Sequence, residues 1–219
     1  MAIILNIETT TTNCSVSIGN KGMLVDVLED NNNAYSHSER LHVYIDTLLK
    51  RNNLTSKDID AVAVSKGPGS YTGLRIGVSA AKGLCYVLET PLIAVPTLAI
   101  LAEQVSVKKG YIIPLLDARR MEVYSAVFDV TKKQRRKTQA EILTPTSFNA
   151  YLEKDTVTFI GNGVSKFKQI CNHPNAYFID DKSPSSSDMV SLSFCNYKKS
   201  NTEDVAYFEP EYLKDFFTG

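Results

Sequence analysis

The chain has 219 residues, 43% of them hydrophobic, and its 24 lysines and arginines balance 24 aspartates and glutamates. This length and hydrophobic content predict one large or two small domains with a proper core. The zero net charge excludes a molecule-wide field that attracts nucleic acid or an anionic membrane, so any such contact has to be local.

The cysteines and the N-terminus predict a cytoplasmic protein. Cys14, Cys85, Cys171 and Cys195 form no C-x-x-C pair, and reduced thiols are the simplest account. The N-terminus enters a strand without a basic region, a cleavage site or a long apolar run. We therefore expect neither a signal peptide nor a membrane span.

Three alternating or apolar stretches predict a three-stranded meander: Ala2 to Glu8, Cys14 to Gly19 and Met23 to Glu29. The turn between the second and third is Asn20-Lys21-Gly22. The loop Glu8 to Asn13 contains only hydroxyls, one amide and one carboxylate. It is either a polar turn or a loop that binds phosphate or a metal-bound water, and we favour the polar turn.

A first helix is predicted after the polar linker 31–35. Ser36 and Glu39 form a capping box, and apolar residues then recur at helical spacing until an Asn-Asn pair. These apolar residues are Leu41, Tyr44, Ile45, Leu48 and Leu49. His37 and His42 point about 140° apart, whereas ligand pairs on a helix need a spacing of three or four residues. With no Asp or Cys to complete a set, we predict no metal site.

The most informative stretch of the sequence runs from Ser65 to Gly77 and is called the glycine segment below. A buried strand, Ala61 to Val64, precedes it, Pro68 between two glycines ends that strand, and a helix is predicted from Tyr71 to about Leu88. The apolar arc of this helix spans roughly 200°, about twice the width that one core-facing side needs. The helix therefore has two faces to bury.

Three glycines inside this helix need a physical reason. Gly73, Gly77 and Gly83 each cost about 1 kcal/mol relative to alanine in a helix interior. Close approach of another backbone is the explanation that we favour. From the pattern alone, that neighbour is equally a helix of the same chain or a partner protein.

The glycine segment also permits a phosphate-binding hypothesis, because a glycine turn before a helix presents amides and the positive end of the helix dipole. The spacing argues against the standard versions of such a site. Neither Gly67 nor Gly69 begins a Walker A motif. In Gly67-x-Gly69-x-x-Thr72 the third glycine of the dinucleotide fingerprint is missing, with Gly73 one place late. Phosphate binding stays the less favoured interpretation.

The remaining sequence predicts further alternation of strands and helices. With a strand at 91–95 and a helix at 97–105, the first half reads βββαβαβα, which implies a mixed sheet with helices on its faces. A second half from Tyr111 repeats the theme more weakly. Its strands are predicted at 111–116, 121–129, 141–143, 157–161 and 176–179, and its helices at 147–153, 164–171 and after 187.

One dense charge cluster lies between two of those strands: Lys132, Lys133, Arg135, Arg136 and Lys137. We predict a solvated hairpin tip rather than a nucleic-acid contact, because no aromatic residue is interleaved for base stacking. No Ser/His/Asp or Cys/His arrangement stands out, and 3 histidines are too few for several catalytic schemes.

The glycine segment closely resembles the signature of the TsaB (YeaZ) family, bacterial proteins of tRNA threonylcarbamoyladenosine synthesis. Other stretches resemble elements of that family in the same order: His37-Ser38-Glu39, Asp117-Ala118-Arg119 followed by Glu122-Val123-Tyr124, and Glu209 to Lys214. The resemblance covers nearly the whole chain. It implies an α/β fold of the actin/hexokinase-like (ASKHA) class, with two duplicated βββαβα-type lobes and mixed sheets. The lobes are expected at 1–106 and 107–206, with a tail at 207–219.

The resemblance also implies a non-catalytic partner subunit. Proteins of this family support TsaD, which holds a metal with a histidine pair and transfers the threonylcarbamoyl group, together with TsaE; without TsaD they form homodimers. The two helices of the N-terminal lobe make the pairing face, which implies an interface of Leu41, Ile45, Leu48, Gly73, Ile76, Gly77, Ala80, Ala81 and Leu84. No cofactor is expected in the isolated chain, ATP only in the assembled complex, tRNA contact only through that complex, and no membrane contact.

The weakest expectation concerns a nucleotide or phosphate loop, which would comprise Glu8, Thr9, Thr10, Gly67, Gly69 and Ser70. Kinases of this fold read Asp-x-Gly-Thr in the first loop, and Glu8-Thr9-Thr10 departs from that pattern. The alternative function is an enzyme in its own right, either nucleotide-dependent or a glycoprotease-like metallopeptidase. The missing histidine pair and the altered first loop weigh against it.

Overall fold

The computed structural model describes residues 2–30 and 37–214, and the described chain forms two compact units. The strands are β1 (Ile3–Glu8), β2 (Cys14–Asn20), β3 (Met23–Asp30), β4 (Ala61–Gly67), β5 (Leu92–Pro96), β6 (Tyr111–Asp117), β7 (Glu122–Asp129), β8 (Gln134–Ile142), β9 (Val157–Gly161) and β10 (Ala176–Asp180). The helices are α1 (His37–Arg51), α2 (Tyr71–Leu88), α3 (Thr97–Glu103), α4 (Asn149–Leu152), α5 (Val164–Lys168) and α6 (Val190–Lys198).

The two units contain sheets of the same topology. The first sheet has the order β3-β2-β1-β4-β5, and the second has the order β8-β7-β6-β9-β10. In each, the three strands of a meander pair antiparallel, and its first strand pairs in parallel with a later strand. The prediction of two related lobes with mixed sheets is therefore confirmed.

Strand β1 places the first loop beside the glycine segment. Leu5 and Ile7 point into the core that α1 and α2 cover, whereas Ile4 belongs to the core on the opposite face. Ile7 lies opposite Val64 in the parallel pairing of β1 with β4. Because both strands end at the same edge of the sheet, the loop after Glu8 and the turn that leads into α2 meet there.

The predicted lobe boundaries need correction. Of the described residues, 184–211 belong to the first unit with 2–30 and 37–100, and the second unit comprises 101–183 and 212–214. Polar contacts hold the segment after Ser183 against β2: the hydroxyl oxygens of Ser15 and Ser186 are 2.7 Å apart, and Ser17 Oγ donates to Ser186 O at 2.8 Å. The predicted order of strands and helices could not reveal these contacts, because the residues that form them lie far apart in sequence.

The basic cluster is a solvated tip only in part: Lys132 and Lys133 lie in the hairpin turn, and Lys133, Arg135 and Lys137 are exposed, but Lys132 and Arg136 are half-buried. The turn lies between Asp129 and Gln134, and Arg135, Arg136 and Lys137 belong to β8. Lys132 Nζ donates to Ala102 O at 2.6 Å and also to Val105 O. Arg135 pairs with Asp129 and Arg136 with Glu141, both at 2.6 Å. The prediction of a strand at 141–143 therefore missed residues 134–140 of the edge strand β8, because these residues are mostly charged or polar.

The other predicted elements agree with the structure to within a few residues at their ends. The turn before β3 has positive φ at both Lys21 (52°) and Gly22 (80°), as a two-residue hairpin requires. The predicted linker 31–35, the capping residue Ser36 and the tail residues 215–219 lie outside the described residues. Within the described residues, no helix is long and apolar enough to cross a membrane.

Candidate functional site

The loop after β1 packs directly against the first turns of α2. Thr9 Oγ1 donates to the carbonyl oxygen of Gly73 at 2.7 Å. A Cβ atom on Gly73 would lie 2.0 Å from Thr9 O, and one on Gly77 would lie 2.3 Å from Thr9 Oγ1. Side chains essentially never approach other atoms that closely. Both positions therefore have to be glycine, because the loop after β1, in the same unit, occupies the space of a side chain.

Backbone amides at the N-terminus of α2 already donate hydrogen bonds to atoms of the same chain. Ser70 N donates to Thr10 O at 2.7 Å, Gly73 N to Ser70 Oγ at 3.3 Å, and Leu74 N to Ser70 O at 2.8 Å. A Cβ atom on Gly69 would lie 2.5 Å from Thr10 Cβ. A phosphate bound at a helix N-terminus needs such amides as donors. The intramolecular partners leave fewer of them available to an anion.

The segment after α6 covers the outer side of the glycine turn. Lys82 Nζ donates to Ala206 O at 3.1 Å and to Phe208 O at 2.9 Å. Glu211 N donates to Lys66 O at 2.8 Å, and the two side chains form an ion pair at 2.5 Å. Gly67 adopts a φ of +115°, and a Cβ there would lie 2.7 Å from Glu211 O. The segment thus occupies the space beside Gly67.

A half-open groove of about 420 Å³ lies between α1 and α2. Its lining includes Leu41 and His42 from α1, and Ile76, Ala80, Gly83 and Leu84 from α2. A Cβ atom on Gly83 would meet no atom of the described chain within 4 Å. Val87, one turn further along α2, is 77% exposed. An apolar stripe on α2 is therefore open to a partner.

The family is decided by comparison with known proteins. Residues 31–215 match a family model described as TsaD, tRNA N6-adenosine threonylcarbamoyltransferase. The tRNA threonylcarbamoyladenosine biosynthesis protein TsaB of Bacillus subtilis (strain 168) is 31% identical, over 82% of this chain and 80% of the relative. The chain belongs to the TsaB family. TsaB of Escherichia coli (strain K12) is 28% identical over 97% of this chain and 94% of the relative.

A solved structure confirms the predicted fold class. YeaZ from Pseudomonas aeruginosa superposes with a TM-score of 0.84 at 25% identity, and the match covers 97% of this chain and 100% of that one. With two five-stranded mixed sheets of the same order, this TsaB-family chain has the actin/hexokinase-like architecture that the resemblance implied.

The predicted interface of this TsaB-family chain divides into two groups. The residues buried inside the first unit are Leu41, Ile45, Leu48, Gly73, Gly77 and Ala81. The half-exposed residues are Ile76, Ala80 and Leu84. Ile45, Leu48 and Ala81 pack in the unit's own core and the two glycines face Thr9, so these five are not surface residues, whereas Leu41 packs in the same core and also lines the groove. Sequence periodicity shows that a face is apolar, not which neighbour covers it.

The predicted interface lacked Ser79 and Gly83, which line the groove, and Val87, which is exposed one turn beyond it. They lie on the same side of α2 as Ala80 and Leu84, at spacings of three or four residues, so the helical pattern contained the signal. Gly83 was a second indication of a surface contact. Glycine destabilises a helix interior relative to alanine, and no contact among the described residues offsets that cost at position 83.

The candidate phosphate residues lie close together, but the first three are buried. Glu8, Thr9 and Thr10 are at most 1% exposed. Thr10 N and Thr10 Oγ1 both donate to Glu8 Oε1 at 2.5 Å. The second carboxylate oxygen, Oε2, has no hydrogen-bond partner among the described residues. Burial raises the pKa of Glu8 from 4.5 to about 7, against the lowering effect of the Thr10 hydrogen bonds.

The two helical histidines occupy different environments. His37 is buried, and its Nε2 lies 2.8 Å from the carbonyl oxygen of Thr11. Burial lowers the pKa of His37 below its usual value. His42 is exposed and lines the groove. Within residues 2–30 and 37–214, no three His, Cys, Asp or Glu side chains converge on a point where a metal ion could bind.

The raised pKa of Glu8 predicts a loss of stability as the pH rises. The folded chain holds a proton on Glu8 up to about pH 7, whereas the unfolded chain releases it near pH 4.5. Glu8 therefore stabilises the fold least above pH 7. We therefore compare the free energies of unfolding of Glu8→Gln and of the unmodified chain. The difference between them should grow in favour of Glu8→Gln by about 3 kcal/mol as the pH rises from 4.5 to 7.

Urea unfolding of both proteins at several pH values checks this prediction. The glutamine keeps an oxygen to accept from Thr10 and cannot ionise, so the difference between the two proteins isolates Glu8. Glu153→Gln removes the same charge at an exposed position and serves as the control. A difference between Glu8→Gln and the unmodified chain that stays constant with pH would contradict the prediction.

Proposed function

We propose that the chain is a non-catalytic subunit in the biosynthesis of tRNA N6-threonylcarbamoyladenosine, and that it pairs with a TsaD-family protein through the groove between α1 and α2. Relatives that cover most of the chain are named for that pathway. The observation that carries the proposal is Gly83, an exposed glycine inside a helix and inside an apolar groove.

The three helix glycines differ in what faces them. Gly73 and Gly77 leave space for Thr9 of the same unit. This contact explains why glycine stands there although it lowers helix stability by about 1 kcal/mol relative to alanine at each position. Gly83 has no neighbour within 4 Å among the described residues. Its missing side chain would let the backbone of a partner approach α2. Ala80, a small residue on the same side, widens that approach.

The character of the groove supports a protein partner. Ile76, Ala80 and Leu84 are half-exposed, and Val87 extends the same stripe. Apolar surface of this kind gains about 25 cal/mol for each Å² that a partner removes from water. His42 and Ser38 supply a polar rim on α1. An apolar centre with a polar edge is the usual composition of a protein interface.

The hydrogen bonds of the first loop support the proposal that the chain is not catalytic. Thr9 and Thr10 bond to α2 and to Glu8 rather than to an open cavity. His37 contacts Thr11, and His42 lies on the groove side, so the two rings do not form a pair. We therefore assign metal binding and group transfer to the TsaD partner, and ATP only to the assembled complex.

The remaining parts of the proposed assembly are those that the resemblance of the glycine segment implies. The chain would form a homodimer through the same groove when TsaD is absent. TsaE would be a further subunit, and tRNA would reach the chain within the complex. The proposed place of action is the cytoplasm, where tRNA is modified, and no membrane contact is expected.

The proposal is tested with the purified chain and the TsaD protein of the same organism. Alone, the chain should hold far less than one zinc or iron ion per molecule, hydrolyse no ATP and transfer no threonylcarbamoyl group to tRNA. Together with TsaD it should co-elute as a complex and be required for tRNA modification. About one bound ion per chain that is lost on replacing His37 or His42, or failure to bind TsaD, would contradict the proposal.

A further inference from the structure

We infer that the hairpin tip between β6 and β7 binds phosphates of the tRNA backbone through Arg119 and Arg120. This inference rests on the proposed function, which makes tRNA the substrate of the assembly. The tip belongs to the second unit, away from the basic cluster at 132–137 that the sequence singles out.

Arg119 and Arg120 have no carboxylate within ion-pair distance in the described part of the chain. The other arginines are occupied. Arg40, Arg51, Arg135 and Arg136 pair with carboxylates, and Arg75 lies 4.1 Å from the ring centre of Tyr71. Both tip arginines are exposed. Their guanidinium groups are therefore available for a ligand.

The carboxylates that flank the tip in sequence, Asp117 and Glu122, pair with lysines instead. Asp117 Oδ1 accepts from Lys166 Nζ at 2.6 Å, and Glu122 pairs with Lys214. The pairing leaves the tip with four cations and two carboxylates. An excess of positive charge at an exposed tip is the arrangement that attracts an anion.

The backbone of the tip is strained in a way that glycine would relieve. Arg119 has a φ of 70° and Arg120 a φ of 49°. Within the described chain, no other two consecutive non-glycine residues both have positive φ. Asn and Gly are the usual choices for such turn positions. Two arginines there are costly for the fold, so we infer that their side chains are retained for binding.

Arginine in particular favours phosphate as the ligand. Its planar fork donates two parallel hydrogen bonds to a phosphate, whereas lysine acts as a point charge. Two adjacent forks on a protruding hairpin can reach neighbouring phosphates of a nucleic-acid backbone. A carboxylate-rich protein surface is the competing ligand, and the experiment below separates the two.

The test compares the unmodified chain with the double variant Arg119→Gly/Arg120→Gly, each mixed with the TsaD protein, using an unmodified tRNA transcript as the probe. Affinity is measured over a range of salt concentrations. Each lost phosphate contact should reduce the slope of log affinity against log salt by about 0.7 to 0.9, the range between single strands and duplex DNA. We expect the double variant to lose about 1.4 to 1.8 from that slope, and its melting temperature to rise by a few degrees because the strain is relieved.

Lys133→Ala/Lys137→Ala is the matched control, because it removes the same charge from exposed residues of the same unit. It should change the slope by less than half as much. Equal slopes for the two variants, no tRNA binding at low salt by the unmodified chain together with TsaD, or a lower melting temperature of the glycine variant would each overturn the inference.

Binding to the TsaD protein is measured on the same variants. Loss of TsaD binding with an unchanged tRNA slope would overturn the inference and assign the arginines to a protein surface. A normal complex with TsaD and an unchanged tRNA slope would overturn the inference and leave the proposed function standing.

Discussion

Gly73→Ala is expected to lower the free energy of unfolding by about 3 kcal/mol. The added methyl group would lie 2.0 Å from the carbonyl oxygen of Thr9. Because that atom belongs to backbone, it cannot rotate away as a flexible side chain would. The shift needed to relieve the clash would also break the hydrogen bond of 2.7 Å from Thr9 Oγ1 to Gly73 O. Gly77→Leu should likewise act on the fold, since Thr9 Oγ1 occupies that space.

Gly83→Ala is the matched control on the same helix. Its methyl group would meet no described atom within 4 Å, so only the better helix propensity of alanine remains, a gain of up to about 1 kcal/mol. Urea unfolding of the two variants beside the unmodified chain gives the comparison. If Gly73→Ala and Gly83→Ala have equal free energies of unfolding, the prediction that Thr9 leaves no room for a side chain at position 73 is wrong.

Gly83→Arg is expected to weaken pairing with TsaD, or self-association without TsaD, by about a hundredfold or more. A charged side chain would enter a groove lined by Ile76, Ala80 and Leu84. Burying an unpaired charge in an apolar contact costs several kcal/mol, and about 1.4 kcal/mol corresponds to a tenfold change in affinity. The fold itself should be unaffected, because position 83 is exposed and open within the described chain.

Val43→Arg provides the control for charge, since Val43 is 58% exposed on α1 and does not line the groove. Analytical ultracentrifugation with and without TsaD measures association, and circular dichroism measures the melting temperature of both variants. If Gly83→Arg pairs as tightly as Val43→Arg, the groove is not the pairing surface.

Much of the architecture could be predicted from the order of local patterns. Alternation identified β1, β2 and β3, and Lys21-Gly22 supplied the positive φ values of the turn between the last two. The helical spacing of apolar residues located α1 and α2. These features depend on neighbours within one or two turns, so the local sequence contains them. β8 was predicted only in part because its residues are mostly charged or polar.

The resemblance carried by the glycine segment located the family correctly, but it did not say which atoms each glycine faces. Thr9 and Gly73 are 64 residues apart in sequence, and only the parallel pairing of β1 with β4 brings the first loop to α2. The same holds for Arg119 and Arg120, whose lack of ion pairs depends on where Lys166 and Lys214 lie. Local patterns in the sequence identified most of the elements, their order and the apolar face of α2, but not the first seven residues of β8. The tertiary structure decided that Gly73 and Gly77 admit the chain's own loop and that Gly83 remains open, because close approach is a property of folded neighbours and not of spacing.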